Sequence, residues 1–207
     1  MQVFFVNGNP RSGKDTFIDM VKEALNGRAY STSWIDPVKE ILGIDGLDLS
    51  AKTEFDRRLL ADVGDSLERH SSFLSRRCVA FAEARLTPAR TVFIYARQGG
   101  PIRTMEAMLH DLNPAIVTRR LLVVRPGVGE LTSNAADAGV NLLGYDVQVH
   151  NDGTLDNLED LAELFAALVR KNALPRKLHP AAVRPIPTKL FASASGETPL
   201  EDMGVAA

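Results

Sequence analysis

The sequence predicts a three-layer α/β fold, a parallel five-stranded sheet with helices on both faces. Three observations carry this expectation. Short apolar runs rich in β-branched and aromatic residues alternate along the chain with longer stretches of helical periodicity. The first of those runs leads through a glycine-containing loop, Gly8 to Lys14, directly into a helix. The chain of 207 residues, 45% hydrophobic and 24% charged, is long enough for one domain with a substantial core.

The elements follow in order. "QVFFV" at 2–6 is an apolar run closed by Asn7-Gly8, and it reads as a buried strand. From Lys14 to Leu25, Phe17, Ile18, Met20, Val21, Ala24 and Leu25 recur at helical spacing, and Gly27 ends the helix. "YSTSWI" at 30–35 reads as the second strand, with Asp36-Pro37 opening the helix that continues as "VKEILG". Phe55, Leu59, Leu60, Val63 and Leu67 mark an amphipathic helix between 51 and 69, and a further helix runs over 71–86. "TVFIYA" at 91–96 is the third strand and "IRTMEAMLHDL" a helix. "RLLVVR" at 120–125 and "DVQVH" at 146–150 are the fourth and fifth strands, and 155–169 is the most regular helix of the chain. Beyond Lys171 the composition changes. This stretch holds five of the eleven prolines and reads as an extended tail over 171–207, behind a domain covering 1–170.

Composition narrows the function classes. A net charge of −2 offers no global attraction to nucleic acid, so none is expected as partner. No long apolar stretch or basic leader is visible, so no membrane is expected and the cytoplasm (a host's, if the chain is phage-encoded) is the expected location. The single cysteine, Cys78, lies in "CVAFA" and reads as a small core residue. His70, His110, His150 and His179 show no metal-ligand spacing.

The chemistry gathers at Gly8-Asn9-Pro10-Arg11-Ser12-Gly13-Lys14, which has the spacing G-x-x-x-x-G-K between a strand and a helix. Glycines let successive backbone N–H groups turn inward, and the helix start adds partial positive charge. This defines a P-loop. Gly8, Asn9, Arg11, Ser12, Gly13, Lys14, Asp15 and Thr16 are the expected phosphate-binding set, with Lys14 reaching the β- and γ-phosphates of ATP. Position 15 commonly carries a hydroxyl that touches Mg²⁺; here it is Asp15, with Thr16 next. Asp15, Thr16 and Asp36 are therefore the candidate Mg²⁺ residues.

Phosphoryl transfer also needs positive charge around the moving group. Arg97 ends the third strand, on the carboxyl edge where open parallel sheets bind ligands. Together with Lys14 and Arg125, which opens a lid-like segment over 125–140, it forms the expected catalytic set. Asp36 and Lys39 follow the second strand, and Arg57 and Arg58 lie in a helical region over 44–88; these four are the substrate-side candidates. Asn151, Gly153 and Thr154 follow the fifth strand and are placed on the adenine side.

"RSGKDT" resembles the loop of bacteriophage deoxynucleoside monophosphate kinases, where lysine-aspartate-threonine is usual, and phosphomevalonate kinases carry a similar Gly-Lys-Asp. The resemblance continues through "DPVKEIL" at 36–42, "KTEFDRRLLADVGDSLE" at 52–68, "VFIYAR" at 92–97, "VVRPGV", "NAAD" at 134–137 and "YDVQVHNDGTLDNLEDLA" at 145–162. It implies a P-loop NTPase of the nucleoside monophosphate kinase-like kind, with ATP and Mg²⁺, a (deoxy)nucleoside monophosphate as acceptor, and Asp15 as a trait of the family. A homodimer stays open. Two departures stand out. Relatives often follow the third strand with Arg-Glu-Pro-Glu-Glu-Ile, where this chain has Arg97-Gln98-Gly99-Gly100-Pro101-Ile102, and Asn-His-Ala-Asp is here Asn134-Ala135-Ala136-Asp137. A kinase of another small metabolite, or a nucleotide-binding module without turnover, are the alternatives.

Overall fold

The structure, a computed structural model, describes residues 1–44, 53–128 and 144–180. Strand β1 (Gln2–Asn7) leads through the loop to α1 (Lys14–Ala24), then β2 (Ala29–Ser33) and α2 (Asp36–Ile44). Two helices follow, α3 (Glu54–Ser71) and α4 (Phe73–Glu83), then β3 (Thr91–Tyr95) and α5 (Gly99–Leu112). The chain continues through β4 (Val117–Val124), β5 (Val147–His150), α6 (Leu155–Arg170) and β6 (Lys177–Leu178). All neighbouring strands are parallel, in the order β2-β3-β1-β4-β5-β6. The α/β class is as expected, but the sheet has six strands rather than five. The extra strand pairs Gln148 with Lys177 and Val149 with Leu178, so 171–180, expected to begin the tail, belongs to the sheet domain.

Two boundaries also shift. Helix α5 starts at Gly99, and Pro101 in its first turn removes an N–H that has no helical partner there. Strand β2 ends at Ser33: the Trp34 N–H donates the last bond to β3, at the Tyr95 carbonyl (2.9 Å), and Trp34 and Ile35 then turn into α2.

Period-two alternation sorts β1 between two cores. Phe4 and Val6 face α1 and α6 among Phe17, Phe93, Leu161 and Phe165. Val3 and Phe5 face the layer of α2, α4 and α5 among Val38, Leu74, Ile94 and Met105. Phe4 stacks on Phe93 at 5.4 Å, and Phe165 meets both Phe4 (5.5 Å) and Phe17 (5.4 Å, edge-on). Cys78 lies in the second core, where burial pushes its thiol up to about 12. A thiol so far from ionisation is no nucleophile near neutrality. Among the described residues no helix is long and apolar enough to cross a membrane.

Helix α3 approaches the β2–α2 turn through Gly64. A Cβ there would lie 3.0 Å from Ile35 Cδ1 and 3.4 Å from Trp34 Cζ3. We expect Gly64→Val to cost about 1–3 kcal/mol by overpacking. Gly64→Ala should be nearly neutral, because its helix-propensity gain of about 1 kcal/mol offsets milder crowding. Urea unfolding of the two variants measures the difference; equal stabilities would show that α3 does not press on Trp34 and Ile35.

Candidate functional site

Strand β1 lies inside the sheet, with β2 and β3 on one side and β4, β5 and β6 on the other. The chain leaves β1 toward one edge and later, from β4, proceeds toward the other. The carboxyl end of β1 is therefore a reversal point of the strand order, where open parallel sheets leave a crevice. The loop of residues 8–13 occupies it.

Two glycines are required by geometry. A Cβ on Gly8 would lie 2.7 Å from the Val123 carbonyl oxygen and 2.7 Å from Ser12 Oγ. Gly13 has φ +81, and a Cβ on it would lie 2.4 Å from Asn151 Nδ2. The Ser12 N–H donates to the Asn9 carbonyl at 3.0 Å, closing the turn, and Arg11 takes a left-handed conformation at φ 66. Gly13 then serves as N-cap of α1 without any side-chain cap, whereas α3 and α6 each begin with a full capping box. The first amides of α1 thus have no side-chain oxygen competing for them, which suits an external anion. Lys14 opens this helix with only 13% of its side chain exposed, its Nζ 3.4 Å from Asp15 Oδ2. Asp15 is 71% exposed, and Thr16 is exposed beside it.

The loop is held from three directions. Asn7, buried at the end of β1, accepts the Gly8 N–H at 2.8 Å and donates from Nδ2 to the Arg97 carbonyl at 3.4 Å. Asn7 also hydrogen-bonds the buried Tyr145, whose hydroxyl is pushed up to about 12 mainly by burial. From β5, Asn151 donates to the Ser12 carbonyl at 2.9 Å. Sequence reasoning missed Asn7 and Tyr145. A signal for Asn7 was present, a polar residue closing an otherwise apolar strand, but it reads first as turn punctuation.

The remaining candidates separate by place. Arg97 follows β3 and is half-buried, its carbonyl at the Asn7 side chain where the loop begins. Its neighbour Gln98, N-cap of α5, donates to Asp65 of α3 at 3.0 Å and ties the helical region to this edge. Asp36 is on the same edge but at the end of β2, beyond β3, roughly 10 Å from β1 at the usual strand spacing. Its carboxylate accepts the Ser33 N–H at 2.8 Å and pairs with Lys39 at 2.9 Å, so Asp36 and Lys39 hold one another. Arg57 and Arg58 are both exposed, and Arg58 pairs with Glu54 at 3.7 Å. Such an exposed pair is worth only about 0.3–0.5 kcal/mol, weak enough for Arg58 to yield to a phosphate. Arg125 is exposed in a turn after β4, and the lid-like segment beyond residue 128 lies outside the described residues until 144, with "NAAD" inside it.

On the adenine side the placements differ. Asn151 is buried and directed to the loop backbone. Thr154 caps α6, its Oγ1 accepting the Asn157 N–H at 3.3 Å, and Gly153 leaves room for Asn157, which a Cβ would approach to 2.5 Å. Among the described residues no group of three or more His, Cys, Asp or Glu could hold a metal alone. Mg²⁺ needs no such cage, since it binds through one or two protein oxygens together with substrate phosphates and water. The exposed oxygens of Asp15 and Thr16 fit that role.

Asn151→Ala removes the amide and leaves the Ser12 carbonyl without its donor. We expect a loss of about 1–3 kcal/mol, read by chemical denaturation. A neutral outcome would mean that the loop does not depend on β5.

No family model matches the chain, and no curated protein matches it. Two solved structures of the Mycobacterium tuberculosis APS kinase CysC, one a mutant and one in complex with AMPPNP and APS, are similar to it. Each is 17% identical, with 81% of this chain and 96% of that chain covered and a TM-score of 0.45.

Proposed function

We propose that this protein is a phosphotransferase that moves the γ-phosphoryl group of ATP to a (deoxy)nucleoside monophosphate. The observation that carries the reading is the loop at the reversal point. Its two glycines have no room for a side chain, its helix start has no side-chain cap, and Lys14 stands at the mouth. The loop amides and Lys14 bind the β- and γ-phosphates. Asp15 and Thr16 would hold Mg²⁺, which would offset phosphate charge. The acceptor's phosphate oxygen bonds to the γ-phosphorus as the bond to the β-phosphate oxygen breaks, leaving ADP. Arg97, on the same edge, neutralises the transferring group, while Arg57, Arg58 and Arg125 are exposed cations available to the acceptor.

The test is ADP release from Mg-ATP with a panel of ribo- and deoxynucleoside monophosphates. Turnover with one acceptor names the substrate. A second reading, nucleotide binding without turnover, is favoured by one feature. Gln98 follows Arg97 where an acid is usual in the kinases this chain resembles, and its amide is engaged by Asp65. That reading gives ATP affinity with no ADP from any acceptor.

A further inference from the structure

We propose that Asn7 is a positioning residue that holds the backbone of Arg97 in register with the phosphate loop, a role that rests on the phosphotransfer reading. One buried amide joins three segments that are distant in sequence. Its Oδ1 accepts from Gly8 N–H at 2.8 Å, at the first turn of the loop. Its Nδ2 donates to the Arg97 carbonyl at 3.4 Å, where β3 ends. The same side chain hydrogen-bonds Tyr145, which leads into β5. Asn7 is 1% exposed, so water does not replace these partners when they are lost.

Arg97 is thus tied on two sides. Asn7 fixes its carbonyl against β1, and the next residue, Gln98, is anchored to Asp65 of α3 at 3.0 Å. The Asn7 link is the one that references Arg97 to the phosphates, because the same amide holds Gly8. A charged group displaced by about 1 Å from a transferring phosphoryl loses on the order of 10²-fold in rate. Phosphate affinity, carried by the loop amides and Lys14, is affected less. Asn7 therefore acts on kcat through Arg97 and touches no substrate itself.

The experiment is a double-mutant cycle on the full chain, Asn7→Ala, Arg97→Ala and both together. It is read by ADP release, ATP-analogue affinity and hydrogen exchange at residues 8–14 and 96–99. We expect Asn7→Ala to lower kcat about 10- to 100-fold with KM for ATP changed less than about threefold. The double variant should be no slower than Arg97→Ala alone. Losses that multiply would overturn the role, since a merely structural residue acts independently of Arg97. In the wild type, the bound analogue should slow exchange at both segments; in Asn7→Ala it should slow exchange only at 8–14. Retained protection at 96–99 would overturn the role. This readout needs no turnover, so an inactive wild type removes the phosphotransfer reading while exchange still decides on Asn7. Should Asn7→Ala fail to fold, Asn7→Asp, isosteric and still able to accept from Gly8, enters the same cycle.

Discussion

Lys14→Ala is expected to weaken Mg-ATP binding at least about tenfold and to lower turnover about 10²- to 10³-fold, the scale of losing one preorganised charge from a phosphoryl-transfer site. The residue opens α1 at the mouth of the loop, with most of its side chain packed against the protein. Its stem runs past the loop, Cδ lying 3.6 Å from where a Cβ on Gly8 would be, so the side chain is partly placed before any ligand arrives, and charge-assisted hydrogen bonds to phosphate are the strong kind. The partner it has here, Asp15, is largely exposed and is weakly held. Removing Lys14 should leave the melting temperature within a few degrees. Calorimetric titration with an ATP analogue and an ADP-release assay measure the two effects. Undiminished ATP affinity would take this loop out of the phosphate assignment.

Phe165→Ala is expected to have the largest effect on stability. Phe165 is fully buried and bridges Phe4 of β1 and Phe17 of α1, so it fastens the outer helix layer to the strand that carries the loop. Truncating a buried phenylalanine costs about 3–5 kcal/mol, the spread depending on how far the cavity collapses. At about 2–4 °C per kcal/mol for a domain of this size, the melting temperature should drop by about 6–20 °C. Scanning calorimetry reads it directly. A loss under about 1 kcal/mol would mean that α1 and α6 do not close over β1 through this ring.

The central strands and the loop were legible because their signals are local and redundant. "QVFFV" has length, apolarity and a polar stop, and the loop has its glycine and lysine spacing in strand–helix context. Strand β6 was not legible. Two residues, Lys177 and Leu178, carry no periodicity, and the surrounding prolines point to a tail; only the pairing with Gln148 and Val149 makes them a strand. The start of α5 was hidden for a similar reason, since Gly99-Gly100-Pro101 reads as a loop although a proline fits a first turn. At the site, spacing marked the loop but not the side chains that brace it. The side chain of Asn7 has partners 90 residues away, at Arg97, and such links leave no mark on neighbouring sequence. Asn151 is a second such case. Its place after β5 suggested the adenine side, and its amide donates to the Ser12 carbonyl, a link that the sequence did not mark.

The short strand β6 has a bearing on handling the protein. A row of unpaired backbone groups at a sheet's margin is a template for pairing with other chains, and natural proteins shield it with short or charged strands. Here Gln148 and Val149 of β5 are shielded by Lys177 and Leu178, with Leu178 inserted into the core. A chain cut after Lys171 would strip that shield, bare an apolar margin next to Val149, and invite self-association. A piece that keeps this pairing must include Lys177 and Leu178.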